Sequence, residues 1–262
     1  MAANTNHKTA ARQRRAGVLL HPTSFPGNLD NGDFGHQAYR FIEFLHSHGF
    51  KVWQMLPLGP THDDKSPYQC LSTHAGNPSL ISLDWLADKG WLDKTELDIS
   101  ETDKYYRRLC LQQAAEKFYQ MADPELRTRV EEFTQEYVKW LDDYALFIAL
   151  KARYHNKPWH EWPVAVRHRD TLALDDARKE LKTSIKQTVF EQCVFFAQWQ
   201  EIHTYAKQHE VELFGDMPIF VAKDSADVWA QRENFLIDKD GEMAFVAGVP
   251  PDAFSDTGQR WG

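Results

Sequence analysis

Three short stretches carry side chains able to act on a small molecule. "SPYQ", Ser66 to Gln69, sets Tyr68 directly behind a proline. A tyrosine held in that way can stack on a ring and donate a hydrogen bond; the alternative is a surface turn with a half-buried tyrosine. "GDMPIF", Gly215 to Phe220, places Asp216 where an apolar run meets the bend Met217-Pro218. A carboxylate there can orient hydroxyl groups or pair with a buried arginine. It can also cap a following helix, although Asp224 and Ser225, ahead of "ADVW", are better placed for that. The third stretch is "VAGVPPDAFSDTGQRWG", Val246 to Gly262, rich in Gly and Pro, with Asp252, Phe254 and Trp261 among polar neighbours. It reads as an exposed, shaped loop with aromatic platforms, the kind that grips a ligand.

Several chemistries have no support. His46 and His48 flank a helix end, His155, His160 and His168 are scattered over a polar helical stretch, and none forms a metal-ligand set. Cys70, Cys110 and Cys193 are far apart, odd in number and without CxxC spacing, which suits free thiols in a reducing cytoplasm. "DKDGE" hints at a calcium loop, but Leu236 and Ala247 occupy its first and twelfth ligand positions, so calcium is rejected. GxGxxG, P-loop and GxSxG patterns are missing, and with them direct support for dinucleotide, ATP or serine-hydrolase chemistry. The net charge of −8 argues against nucleic acid as a partner. No apolar run reaches the roughly 18 residues of a membrane span, and the basic start has no apolar segment behind it to make a secretory signal. Residues 1–15 are expected to be a flexible tail. The 9 Trp, 9 Tyr and 16 Phe are mainly core, with a minority free to stack on flat ligands, including the apolar faces of sugar rings.

The elements that must carry these stretches are legible from periodicity. With 42% hydrophobic and 26% charged residues, the chain has an ordinary globular composition. Gly17 to Leu20 is a short apolar run stopped by His21-Pro22, which reads as a buried strand entering a loop. Ala38, Phe41, Ile42 and Leu45 then recur at helical spacing, with Gly49 as C-cap, and Val52 to Leu56 is a second buried strand stopped by Pro57. Together they predict a β-α-β unit over residues 16–84. From Trp85 to Gln187 helical spacing dominates, as in "WLDDYALFIALKARY" with Leu141, Tyr144, Ile148 and Ala152 on one face; this is expected to be a helical insertion. The α/β pattern resumes over 188–262: an amphipathic helix in "FEQCVFFAQWQEIHTYAKQHE", a third buried strand in "VELF", and a hairpin turning at Lys239 to Gly241. In parallel α/β folds the sites lie at the C-terminal strand ends. Loops starting at His21, Pro57 and Asp216 are therefore expected on one rim.

Five motifs in order, "GVLLHPTSFPG", "VWQMLPLGPT…SPYQ…HAGNPSLISLDWL", "DYALFIALK", "GDMPIFVAKDSADVWA" and "VAGVPPDAFSDTGQRWG", make residues 16–262 resemble the amylomaltases. These are 4-α-glucanotransferases, or disproportionating enzymes, related to the α-amylases. The resemblance implies the N-terminal part of an α-amylase-like (β/α)8 TIM barrel with a helical insertion. It implies that Tyr68 stacks on the glucose at the cleavage point, with Ser66 and Gln69 beside it. Asp216 would support the nucleophile's surroundings without attacking. Gly248 to Ser255, carrying Asp252 and Phe254, would be a flexible loop closing over bound glucan, and Trp261 would line the same groove. Ala253 stands where many members carry an aromatic residue. Partners would be maltooligosaccharides and α-1,4-glucans, with no metal or organic cofactor. Retaining transfer needs two carboxyl groups about 5–5.5 Å apart, and in the family these follow the "RWG" motif. A barrel also needs eight strand–helix units, and only three are clear. The expectation is therefore an N-terminal half, lacking nucleophile and acid/base and inactive without its C-terminal half. A non-catalytic glucan-binding or regulatory module is the alternative.

Overall fold

The computed structural model describes residues 14–26, 31–93, 104–121, 124–238, 240–253 and 255–260. The tail expected over residues 1–15 lies almost wholly outside them. So do Phe254 and Trp261.

Three short strands, β1 (Gly17–Leu19), β2 (Val52–Gln54) and β3 (Glu212–Phe214), form a parallel sheet in that order. Val18, Trp53 and Leu213 are level across the sheet, as are Leu19, Gln54 and Phe214. The three C-terminal ends thus share one rim. Helix α1 (His36–Ser47) makes the β1–β2 crossover. It ends where Gly49 takes φ of +77°, the left-handed conformation that glycine adopts without strain. The strands are shorter than the apolar runs suggest, and only the central one is buried. Trp53 has no exposed surface, whereas Leu19, Glu212 and Phe214 face outward. The expectation of three buried strands fails for β1 and β3. Each pairs on one side only among the described residues, so no strand there covers its outer edge.

Between β2 and β3 a long rim segment leads, among the described residues, into the helices α2 (Leu83–Asp88), α3 (Lys104–Met121), α4 (Pro124–Glu136), α5 (Val138–Arg153), α6 (Val164–Arg167), α7 (Thr171–Glu180) and α8 (Lys182–Gln208). No strand interrupts them among the described residues. A boundary at residues 187 and 188 falls inside α8, whose 27 residues run unbroken from the helical segment to the sheet, about 40 Å. One face of α8 closes the first core: Phe190, Val194, Phe195, Ile202 and Ala206 pack with Ala38, Ile42 and Leu45 of α1, Trp53 of β2, and Leu111 and Phe118 of α3. A second core joins Tyr144, Phe147 and Leu150 of α5 to Trp159, Trp162 and Leu174, and to Ala226, Val228 and Trp229 of α9 (Ala226–Ala230). The buried face of α5 runs through Leu141, Tyr144, Phe147 and Leu150; Ile148 is half-buried, and Ala152 is exposed. The face predicted for α5 rotates because α5 packs on both α8 and α9, which buries a wider arc than one stripe.

The last described segment holds an antiparallel bridge between Ile237 and Met243 and a two-stranded hairpin, β4 (Gly248–Val249) with β5 (Gln259–Arg260). The first of these brackets the turn expected at Lys239 to Gly241, of which Lys239 lies outside the described residues. Asp238 accepts from the backbone N–H groups of Asp240 and Glu242 at 2.8 Å each, which closes the turn.

Candidate functional site

The rim segment after β2 is held by helix α8 through two buried glutamines. The Gln192 amide accepts from Gly76 N–H at 2.8 Å and donates to Gly76 O at 2.9 Å. Gln198 does the same to Ser82, at 2.8 and 3.2 Å. Each side chain mimics the edge of a strand and satisfies a backbone segment that has no ladder of its own. Gly76 lies flat on Phe195; a Cβ there would approach the ring to 2.0 Å. Ser82 then caps α2. These glutamines interrupt the apolar face of "FEQCVFFAQWQ", the one local sign that α8 has a polar duty. The sequence reading missed it.

The two rim segments are also tied to each other. Asp227 at the start of α9 accepts from Thr73 N–H at 3.0 Å and from Thr73 Oγ1 at 2.9 Å, and Ala226 N–H donates to Leu71 O. Ser225 caps α9 through Val228 N–H at 3.3 Å. Asp224, the other capping candidate, turns instead to the helical segment. It accepts from Lys151 Nζ at 2.6 Å and Trp159 N–H at 3.1 Å.

At the centre of this rim the structure brings Tyr68 and Asp216 together. Tyr68 Oη donates to Asp216 Oδ2 at 2.8 Å, and Asp216 Oδ1 accepts from Met217 N–H at 2.8 Å. The carboxylate caps no helix. It closes its own bend and bridges to the neighbouring loop. That hydrogen bond raises the phenol above its ordinary range, so Tyr68 stays a neutral donor. Tyr68 is 44% exposed, and Met217 and Ile219 of the Asp216 loop are 77% and 89% exposed. Ser66 and Gln69 flank it in one turn: Asp64 accepts from Ser66 N–H at 3.1 Å, Gln69 N–H donates to Ser66 O at 3.3 Å, and Cys70 pairs back with Thr61. The turn needs Lys65 at φ +57°, a residue type that rarely takes that conformation.

Asp252 is engaged within its own loop. It accepts from Ser255 N–H at 2.9 Å, and Ser255 Oγ donates to Gly258 O at 2.7 Å. Gly258, at φ +73°, sits so close to Val249 O that a Cβ would come within 2.3 Å. Phe254 and Trp261 lie outside the described residues. Among the described residues no group of three or more His, Cys, Asp or Glu could hold a metal ion. No described helix is long and apolar enough to cross a membrane. The arrangement offers an exposed aromatic ring, a phenol and a carboxylate with lone pairs to spare. Such a set can hold a hydroxyl-rich ring against a flat apolar face.

A family profile described as 4-alpha-glucanotransferase matches residues 20–262. The chain is 44% identical over 261 residues to a 4-alpha-glucanotransferase of Synechocystis, covering 95% of this chain and 52% of that protein. It is 43% identical to one of Thermus thermophilus, covering 95% and 51%. A solved amylomaltase from Streptococcus agalactiae, in complex with acarbose, superposes with a TM-score of 0.90 at 38% identity, covering 95% of this chain and 52% of the other. The chain thus spans about half the length of the relatives it matches.

Proposed function

The chain belongs to the 4-alpha-glucanotransferase family, and from that premise we propose that the whole protein cuts an α-1,4-glucan and passes the glycosyl group to the 4-OH of another glucan or glucose by a retaining mechanism. The fold proposed for it is an α-amylase-like (β/α)8 barrel of which this chain supplies the first units. In this reading Tyr68 stacks on the glucose at the cleavage point, Asp216 orients sugar hydroxyls without attacking, and Ser66 and Gln69 complete that subsite. The loop from Gly248 to Ser255, with Asp252 and Phe254, closes over the glucan, and Trp261 lines the groove. The observation that supports this most directly is the 2.8 Å bond from Tyr68 to Asp216, which joins two rim loops under an exposed aromatic face.

The chemistry also sets what the chain does not do alone. Retention requires a nucleophile and a proton donor about 5–5.5 Å apart. Asp216 has a phenol and a backbone amide as partners, and Asp252 is turned into its own loop. In the family resemblance the carboxylate pair follows the "RWG" motif, and on that ground we place it outside residues 1–262. Disproportionation of maltotriose, followed by chromatography, is the test. Residues 1–262 are expected to give no glucose or longer oligomers, and a chain continued through the carboxylate-bearing strands is expected to give both. Turnover by residues 1–262, clear of host enzymes, would overturn the assignment. A non-catalytic glucan-binding module is the second reading, favoured by the exposed Tyr68 ring held on Asp216. It predicts maltotriose binding with no turnover in any longer form.

A further inference from the structure

Among the side chains by which the helical segment meets the rim and the last hairpins, Trp159 reaches both. Trp159, the first residue of a single-turn helix over Trp159–Glu161, has no exposed surface. Its indole Nε1 donates to Lys223 O at 2.7 Å, and its backbone N–H donates to Asp224 Oδ1 at 3.1 Å. Lys151 of α5 takes the other oxygen of Asp224. Lys223 and Asp224 belong to the loop that begins at Asp216. The guanidinium of Arg232 lies 4.5 Å from the centre of the Trp159 ring. The ring's far edge meets Gly241, at the tip of the Ile237–Met243 hairpin, where a Cβ would come within 2.4 Å of Cη2. Gly241 is at φ +85°, so other residues are doubly disfavoured there. Arg167 of α6 holds the same tip through Asp240 at 3.1 Å.

One ring therefore touches the backbone of two neighbouring segments, 216–224 and 237–243, which Lys223 also joins by donating to Glu242 Oε1 at 3.3 Å. The first carries Asp216, and the second leads directly into β4 and the loop around Asp252. A buried indole needs an acceptor for its N–H wherever it packs; what distinguishes Trp159 is that its acceptor lies on the Asp216 loop while its far edge packs on the Gly241 tip. We propose that Trp159 is a positioning residue: it sets where the Asp216 loop stands relative to the hairpin ahead of the Asp252 loop, and so lets α5–α7 define the site in which, on the reading above, a maltooligosaccharide lies. The substitution Trp159→Phe keeps an aromatic ring but loses the Nε1 donor and the reach to Gly241. Gly241→Ala pushes on the hairpin alone.

Amide hydrogen exchange on residues 1–262, combined with calorimetric titration of maltotetraose, tests this. In W159F, exchange over 221–225 and 237–243 is expected to quicken while α5 and α8 keep their protection, and maltotetraose affinity is expected to fall several-fold. In G241A only 237–243 should quicken, which keeps the test decisive if W159F folds poorly. Loosening of α5 and α8 along with the loops would mark a general core role and overturn the proposal. So would unchanged hairpin exchange in G241A, or unaltered affinity in a loosened W159F. Exchange needs no glucan. A wild-type chain that binds no maltotetraose therefore counts against the glucan reading, and exchange still decides the positioning role.

Discussion

Tyr68 and Asp216 stand 148 positions apart in the chain and 2.8 Å apart in space. Two separable jobs follow for the tyrosine: its ring offers a stacking face, and its hydroxyl holds the carboxylate. Tyr68→Phe keeps the first and removes the second; Tyr68→Ala removes both. Maltooligosaccharide affinity, measured by calorimetry, is expected to drop several-fold to about tenfold in the alanine variant and less in the phenylalanine variant. Equal affinities for all three would remove Tyr68 from the site. The cysteines offer a chemical check on the same rim and on α8. Burial pushes the thiols of Cys70 and Cys193 up to about 11 from an ordinary 9.0. Since the thiolate is the reactive form, both should resist a thiol reagent at pH 8 in the folded chain and react promptly once it is unfolded.

Helix α8 carries polar obligations to the rim. Gln192→Leu would leave Gly76 N–H and O buried without partners, and such groups cost about 1–3 kcal/mol each. A fall in denaturant stability of that order is expected, and an unchanged midpoint would show that the clamp is dispensable. Glu191, one position earlier, tests the electrostatics. Burial raises its carboxyl to about 7 from an ordinary 4.5, outweighing the lowering effect of the Gln187 hydrogen bond and the Arg108 charge. A raised folded pKa means that the folded form holds the proton more tightly. The associated stability is fully present below about 4.5 and is lost as pH climbs to about 7. Glu191→Gln, which cannot ionise, is expected to melt higher than wild type at pH 8 and at about the same temperature near pH 4.5. An equal advantage at both pH values would sink this assignment.

Considered whole, the described chain is a three-stranded parallel sheet backed by α1 and α8, with a helical body attached through α5, α8 and α9. The outer edges of β1 and β3 have no strand beside them among the described residues. Leu19, Phe214, Met217, Ile219 and Phe220 stand exposed along the sheet and its rim. Open strand edges with apolar neighbours promote association. Residues 1–262 in isolation are therefore expected to self-associate at micromolar concentration in light scattering, and a stable monomer would show that this surface is better covered than its composition implies.

What could be read from residue order was whatever local periodicity encodes. The β-α-β unit, the long helical stretch, the loops beginning at His21, Pro57 and Asp216, and the ordered motifs of the family all repeat or contrast over a few residues. Asp216 and Tyr68 stood out because their neighbours bend the chain. Their pairing did not, since no spacing rule links two loops separated by the whole helical body. The same holds for Gln192 on Gly76 and Gln198 on Ser82, each across 116 positions, and for Trp159 between Lys223 and Gly241. A glutamine on a helix reads as solvated, and a tryptophan reads as core, until packing sets a backbone against it. The burial of the edge strands went the other way: Gly17 to Leu20 and "VELF" are apolar enough to be enclosed, but enclosure depends on what lies alongside, which no strand's own residues specify.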